Sequence, residues 1–135
     1  MTPALKLTGL AKSFPVGKRL FGPPRAVVRA VQPVTLTVER GETLGIVGES
    51  GCGKSTLARM LVGLLEPSEG RIEIEGAPLD TADPAAFGRK IQYVFQDPVS
   101  SLNPRKTIRQ IMEAPLRHLH GLGRAARAAR IAEIF

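Results

Sequence analysis

The stretch GIVGESGCGKSTLARML, residues 45–61, decides the fold class of this chain. An apolar run comes first, a glycine-rich loop follows, and a segment with helical spacing of leucines ends it. Within it, residues 48–55 (GESGCGKS) satisfy the pattern G-x-x-x-x-G-K-[ST]. An apolar strand before this pattern and an apolar helix after it distinguish a phosphate-binding loop from an ordinary glycine-rich turn. The sequence therefore predicts a strand, a phosphate-binding loop and a helix, in that order.

The residue types in this loop suit a polyphosphate ligand. Such a ligand carries several negative oxygens in a small volume, so it needs many converging donors and no bulky side chains. Glycines permit the close approach, and main-chain amides with the positive end of a helix bind the anion. Lys54 can reach the outer phosphates, and the Ser55 hydroxyl can bind Mg²⁺. The loop residues predicted to bind the ligand are Gly48, Glu49, Ser50, Gly51, Cys52, Gly53, Lys54, Ser55 and Thr56.

The composition of the 135 residues is that of an ordinary globular domain, with 43% hydrophobic and 23% charged residues. The longest apolar runs fall short of the roughly 18 residues that a membrane span needs, and the N-terminus lacks the pattern of a signal peptide. A single cysteine excludes an internal disulfide and fits a reducing compartment. We expect a cytoplasmic chain.

The net charge of +7 raises the question of a nucleic-acid partner. The basic residues are scattered along the chain, however, and aromatic residues make up only 4% of it, too few for a base-stacking platform. The arginines at every third position in 124–130 are interpreted as a solvated helix face, and His118 and His120 as helix surface. No nucleic acid is expected as a partner.

Hydrophobic periodicity predicts the elements around the loop. Apolar and polar residues nearly alternate in 5–14, which predicts a strand. The Gly/Pro-rich stretch 15–25 that follows predicts a loop. The region 27–42 predicts a second strand, antiparallel to the first, with Val34, Leu36 and Val38 on one face. The further predictions are a buried parallel strand at 43–48, a helix at 54–66, an exposed strand at 71–76, a helix at 83–90, an apolar strand at 91–95, a helix from Thr107 to about Gly121 interrupted by Pro115, and a helix at 124–135.

Two long segments carry a family resemblance. Residues 28–76 (VRAVQPVTLTV through RIEIEG) followed by 91–105 (IQYVFQDPVSSLNPR) resemble the nucleotide-binding subunits of ABC transporters. Residues 10–31 and the SSLNPR segment at 100–105 are most similar to the ATP-binding subunits of dipeptide and oligopeptide importers, with nickel importers as close relatives. The resemblance covers nearly the whole chain.

The resemblance implies an α/β fold of the P-loop nucleoside triphosphatase type. It implies an N-terminal antiparallel β subdomain, the start of a helical subdomain and an incomplete sheet, since the sheet neighbours of 43–48 lie in a half of the domain that is absent. Residues 1–135 are then the N-terminal part of an ABC-type nucleotide-binding domain. Residues 1–106 are expected to form the β subdomain and part of the P-loop core, and residues 107–135 the start of the helical subdomain.

The resemblance also assigns roles to individual residues. Phe14 matches the aromatic that stacks on adenine, and Gln96 matches the glutamine that reaches Mg²⁺ and the attacking water. It thus implies Lys54 and Gln96 as catalytic residues, Ser55 and Gln96 as metal ligands, and ATP and Mg²⁺ as cofactors. The segment 97–105 resembles the surface that contacts the transmembrane subunits; without the resemblance it would indicate only an exposed loop.

As a whole, the resemblance implies an ATP-binding subunit that couples ATP binding and hydrolysis to uptake of peptides or similar small solutes. Its partners would be transmembrane permease subunits and a second ATP-binding subunit, in a homodimer or heterodimer. It would lie on the cytoplasmic face of the bacterial inner membrane, attached through the permease. ATP binding would close a head-to-tail dimer, and hydrolysis would reopen it.

The chain departs from the family pattern in lacking a signature loop of the LSGGQ type, a strand ending in Asp with a catalytic Glu, and a switch histidine. Positioning and charge neutralisation carry most of phosphoryl transfer, so we predict negligible hydrolysis by these 135 residues alone. Two alternatives stay open: an ABC-type ATPase of DNA repair or chromosome maintenance, and an inactive nucleotide-binding fragment.

Overall fold

The computed structural model describes residues 2–17 and 26–134, and these form two compact units, Met1–Asp80 and Thr81–Phe135. The predicted loop at 15–25 lies for the most part outside the described residues. Its first two residues, Pro15 and Val16, belong to the first strand, so the strand is longer than the alternation indicated.

The first unit is built on an antiparallel sheet of four strands. These are β1 (Leu5–Val16), β2 (Ala26–Val38), β3 (Glu69–Ile74) and β4 (Ala77–Pro78), in the order β2-β1-β3-β4. β1 pairs antiparallel with both β2 and β3. The predicted antiparallel β subdomain is therefore confirmed.

The sheet and one helix share a small apolar core. Helix α1 (Lys54–Leu61) buries Leu57 and Met60 against residues of the strands. Burying side chains of this size contributes about 1.5–3 kcal/mol each. The expectation of an exposed strand at 71–76 is wrong for Ile72, which is buried because it belongs to the core shared by the sheet and α1. The buried core residues are Leu7, Leu10, Val31, Leu57, Met60 and Ile72.

A β-bulge interrupts the pairing of β1 and β2 beside the glycine-rich loop. Lys12 pairs with Val31 and Ser13 pairs with Arg29, which leaves Ala30 as an extra residue on β2. Bulges bend a strand and redirect its polar groups. As a consequence, the Ala30 carbonyl lies against the glycine-rich loop at Gly53.

Two sequence predictions near the loop are corrected. The apolar run 43–48 forms no strand and pairs with no strand among the described residues, and Val47 is 92% exposed. A buried parallel strand needs hydrogen-bonding neighbours on both sides, and the described sheet supplies none for this run. Helix α1 ends at Leu61 rather than at 66, which leaves Leu64 61% exposed. The predicted incompleteness of the sheet is confirmed.

The second unit consists of three helices, α2 (Pro84–Lys90), α3 (Ile108–His118) and α4 (Arg124–Ile134). Asp83 begins α2 by accepting hydrogen bonds at 3.0 Å from the amides of Ala85 and Ala86. Thr107 and Gln110 form a capping box at the start of α3. The three predicted helices are confirmed because each carries its own start signal or periodicity.

Two predictions in this unit are wrong. Helix α3 continues through Pro115 instead of being interrupted there, and the amide of Leu119 donates to the Pro115 carbonyl at 2.8 Å. The predicted strand 91–95 pairs with no strand among the described residues. Within this segment the rings of Tyr93 and Phe95 make an edge-to-face contact with centroids 4.6 Å apart, and Gln92 Nε2 donates to the Gly88 carbonyl at 2.6 Å. None of the described helices is both long and apolar enough to cross a lipid bilayer.

Candidate nucleotide-binding site

The start of helix α1 presents main-chain amides that no side chain caps. Gly53 is the residue before the helix, in a left-handed conformation with φ 98° and ψ 0°, and it makes no side-chain capping bond. Helices α2 and α3 differ in this respect. The Asp83 and Thr107 side chains accept hydrogen bonds from amides in the first turns of those helices. Helix α1 thus keeps its first-turn donors and its positive dipole end available for an anion.

Glycine is required at position 53 by both conformation and space. A Cβ atom there would lie 2.3 Å from the Ala30 carbonyl oxygen and 3.3 Å from a methyl group of Val31. A side chain at Gly48 would likewise lie 2.6 Å from the Sγ atom of Cys52. The loop therefore packs against the bulge of β2, and its glycines serve the fold of the loop as well as access of a ligand.

Lys54 holds the loop in a closed turn. Its Nζ atom donates to the carbonyl oxygens of Gly48 and Glu49 at 2.6 and 2.7 Å, and lies 3.6 Å from Sγ of Cys52. The ammonium group thus lies across the loop, on the same residues whose amides are predicted to bind phosphate. A phosphate ligand would compete with the two carbonyls for this cation.

The hydroxyl residues follow at the first turn of α1. Ser55 is exposed, and its side chain makes no hydrogen bond within the described residues; Thr56 is half-buried. Over residues 2–17 and 26–134, no three His, Cys, Asp or Glu side chains come together as a metal site. Ser55 therefore fits Mg²⁺ only as one oxygen ligand of an ion that also binds phosphate and water, which is the usual arrangement for this metal.

A cleft of about 490 Å³ lies between the loop and β2. One of its walls is the β2 segment from Val28 to Gln32, and its floor includes Gly51, Cys52, Gly53 and Lys54. Val28 is the register partner of Phe14 on β1, and paired residues of antiparallel strands project to the same face of the sheet. Phe14 is therefore next to a residue that borders the cleft, although Phe14 itself does not line it.

The Phe14 ring is partly free to accept a stacking group. It is 38% exposed, and the Nζ atom of Lys12 lies 5.3 Å from the ring centroid. The same ammonium donates to the Glu66 carbonyl at 2.6 Å. A cation placed over an aromatic face fixes the ring by a cation–π interaction, so one face of Phe14 is engaged within the protein.

Gln96 and the segment 97–105 lie in the second unit and are exposed. The segment is a succession of tight turns: the Ser100 amide donates to Asp97 Oδ1 at 3.2 Å, and the Arg105 amide donates to Asn103 Oδ1 at 2.9 Å. These are the local bonds for which Asp and Asn are favoured in turns. The role assigned to Gln96 stays a prediction.

Sequence reasoning missed the contribution of β2 to the cleft. Ala30 meets the loop through its carbonyl oxygen, and Val28 borders the cleft beside Phe14. No residue pattern marks a bulge of this kind, because an alanine can occupy it without special dihedrals. The interpretation of Arg127 as a solvated residue is also wrong: its side chain is only 17% exposed and its NH1 donates to the Leu122 carbonyl at 2.7 Å.

Known proteins resemble the chain in sequence over most of its length. Residues 31–135 match the family described as ABC transporter. The chain is 48% identical over 126 residues to y4tS of Sinorhizobium fredii, a probable peptide ABC transporter ATP-binding protein. The aligned region covers 91% of this chain and 36% of that protein. It is 44% identical over 133 residues to the nickel import ATP-binding protein NikE of Escherichia coli K12, covering 96% of this chain and 49% of the relative.

Solved structures agree with these relatives. The dimeric post-hydrolysis structure of the ATP-binding cassette MJ0796, bound to ADP and Pi, superposes with a TM-score of 0.77 at 27% identity, over 96% of this chain and 54% of the other. An ATP-binding subunit of an ABC transporter gives a TM-score of 0.66 at 28% identity, over 90% and 45%. The chain spans half or less of the length of the two relatives named above. It belongs to the ABC transporter family and has the P-loop fold of an ABC ATP-binding cassette.

Proposed function

We propose that the chain is the N-terminal part of the ATP-binding subunit of an ABC importer for peptides, nickel or similar small solutes. Support comes from two relatives, since y4tS is a probable peptide ABC transporter ATP-binding protein and NikE is a nickel import ATP-binding protein. Neither name points to DNA repair or chromosome maintenance, so that alternative is not favoured. This chain would not select the transported solute, because the residues of its site would bind a nucleotide.

The single observation that carries the proposal is the uncapped start of α1 with Lys54 folded over the loop. Triphosphate would receive hydrogen bonds from the amides between Gly48 and Ser55, and Lys54 would exchange the carbonyls of Gly48 and Glu49 for phosphate oxygens. Phe14 would stack on the adenine with the exposed part of its ring. The same residues would release the nucleotide when Lys54 returns to the two carbonyls.

We propose the Ser55 hydroxyl as one ligand of Mg²⁺, together with phosphate oxygens, and we give Gln96 its metal role on the family resemblance alone. When bound, this ion neutralises charge that develops on the phosphates during transfer. Gln96 carries an amide that can both donate and accept, which suits a side chain that engages and releases the metal and water. Lys54 and Gln96 are the residues of this chain to which we assign catalytic roles.

The partners proposed are transmembrane permease subunits in the bacterial inner membrane and a second ATP-binding subunit, in a homodimer or heterodimer. The permease would contact the turns of 97–105, where Val99 is 74% exposed. We propose that the subunit lies on the cytoplasmic face, and that 1–106 and 107–135 divide it into a β-plus-P-loop portion and the start of a helical subdomain. The chain alone is proposed to bind ATP without turnover, because the Asp, Glu and His that place metal and water are absent from it.

Nucleotide binding tests the proposal. We expect Lys54→Ala to lower the affinity for a fluorescent ATP analogue by about tenfold to a hundredfold, the value of one charge-assisted bond. Arg59→Ala is the matched control, because Arg59 is an exposed cation at the other end of the same helix. Circular dichroism of both variants checks that the fold is kept.

An unchanged affinity in the Lys54→Ala chain contradicts the proposal, as does an equal loss in the Arg59→Ala control. Steady ATP turnover by the purified 135-residue chain, abolished by Lys54→Ala, would contradict the separate claim that the chain alone is inactive. Measuring phosphate release and nucleotide binding on the same preparation keeps the two claims apart.

A further inference from the structure

The Lys12 side chain joins the aromatic ring of Phe14 to the segment that follows helix α1. Its Nζ atom lies 5.3 Å from the centroid of the Phe14 ring and donates to the Glu66 carbonyl at 2.6 Å. Within residues 2–17 and 26–134, no carboxylate forms an ion pair with Lys12. In that part of the chain, the ammonium group is therefore directed at a carbonyl dipole and a ring, and no acidic partner neutralises it.

The backbone on both sides of Lys12 is bonded to the same segment. The Ser68 amide donates to the Ala11 carbonyl at 2.9 Å. The Ser13 amide donates to Ser68 Oγ at 3.1 Å, and that hydroxyl donates to the Ser13 carbonyl at 3.2 Å. Because Ala11 and Ser13 flank Lys12, the ammonium group is delivered to the Phe14 ring from a backbone that is itself held in place.

The turn that leads from helix α1 to this segment is also fixed. The Leu64 amide donates to the Arg59 carbonyl at 2.9 Å. The Gly63 amide donates to the Met60 carbonyl at 3.1 Å, and Gly63 has a φ of 66°. This pair of bonds around a left-handed glycine is a Schellman ending of a helix. The helix whose first turn would bind phosphate thus continues, through a bonded turn, to the carbonyl that Lys12 binds.

We infer that Lys12 is a positioning residue for the purine base of the bound nucleotide. It covers one side of the Phe14 ring and leaves the exposed part of that ring to stack on the base. A ring that is held before the base arrives loses less freedom when it stacks. The inference rests on the proposed function, in which Phe14 stacks on adenine. Lys12 itself contacts neither the base nor the phosphates, and it acts through Phe14.

A double-mutant cycle tests the inference. Lys12→Met removes the charge and keeps an unbranched apolar side chain, and it should weaken binding of magnesium ATP, measured by calorimetry, about twofold to fivefold. In a Phe14→Ala chain the same change should have no further effect, because the ring through which Lys12 acts is gone. A cation that only ties the strand to the segment 66–68 would cost the same in both chains.

Two further variants complete the cycle. Lys12→Arg keeps a cation that can lie over an aromatic ring, and it should restore most of the affinity for ATP. Lys6→Met is the matched control, since Lys6 is an exposed lysine of the same strand. It should leave the affinity unchanged. Inorganic tripolyphosphate has no base, so its affinity should be the same with Lys12→Met as in the unsubstituted chain.

The position of the ring can be measured without nucleotide. The chain contains no tryptophan, so Phe14→Trp introduces a single fluorescent reporter at the ring. Adding Lys12→Met to this chain should lower the fluorescence anisotropy of the tryptophan, because the ring gains freedom to move. Adding Lys6→Met should not.

Four results overturn the inference. They are equal ATP affinity with and without Lys12→Met, an equal loss in the Phe14→Ala chain, an equal loss of tripolyphosphate affinity, and unchanged anisotropy of the tryptophan reporter. Failure of the proposed function gives a different result, since the unsubstituted chain would then bind no ATP or would bind it equally well with Lys54→Ala. ATP binding that depends on Lys54 and ignores Lys12→Met overturns the inference alone.

Discussion

The two units of the chain differ in what holds them and in the charge they carry. The first unit buries seven of the eight hydrophobic side chains that are buried among the described residues, and the second buries only Ile131. Within the described residues, the first unit has seven Lys and Arg against eight Asp and Glu, and the second has nine against four. The first unit therefore holds most of the buried apolar side chains, and the second carries the excess of positive charge.

This difference indicates how each unit is stabilised. The first unit has its own core, and its glycine-rich loop packs directly on a strand of that core. The second unit has helices with their own caps and few buried side chains, so its stability depends on local interactions and its surface stays available for contact. Elements with few buried contacts open more easily than a packed core. The following experiments compare the two units directly.

The largest effect is expected from the core of the first unit. Met60 is fully buried against the sheet, and Met60→Ala should lower the free energy of unfolding by about 3 kcal/mol. Ile131→Ala in the second unit should cost about half as much, because its surroundings hold few other buried side chains. Urea unfolding, with hydrogen exchange to assign the loss to one unit, measures both. Equal costs would show that the two units are packed alike.

A smaller effect is expected where the loop meets the sheet. Gly53→Ala places a methyl group against the Ala30 carbonyl in a left-handed conformation, and it should cost about 2 kcal/mol of stability. Nucleotide affinity should fall with it. Gly41→Ala is the matched control, with φ 78° and open space around the added Cβ, and should cost about 1 kcal/mol without changing nucleotide affinity. Normal nucleotide affinity in the Gly53→Ala chain would contradict the inference that packing of the loop on β2 supports nucleotide binding.

The smallest effect is expected at the caps of the second unit. Thr107→Ala removes the hydroxyl that accepts from the Gln110 amide at 3.3 Å and should destabilise α3 by about 1 kcal/mol. Thr107→Ser keeps the hydroxyl and should restore most of that stability. Helix content near α3, followed by hydrogen exchange, is the measurement. Unchanged protection of α3 in the Thr107→Ala chain would contradict this effect of the cap.

Much of the fold could be predicted because its signals are local. Alternation in β1 and β2, the cap at Asp83 and the capping box at Thr107 each act within a few residues. The predictions for 43–48 and 91–95 failed because a strand needs partners that local pattern does not supply. The predicted interruption at Pro115 is wrong for a different reason. A helix can continue past a proline when the loss of one hydrogen bond is tolerated.

The sequence by itself determined the phosphate-binding loop, because its glycines, lysine and hydroxyls lie within eight consecutive residues and act through the backbone that joins them. Tertiary structure alone decided that Ala30 shapes the loop through a bulge and that the β2 segment around Val28 borders the cleft beside the loop. The physical reason is distance along the chain. Contacts between residues far apart depend on packing and strand register, and no short pattern of residues records either.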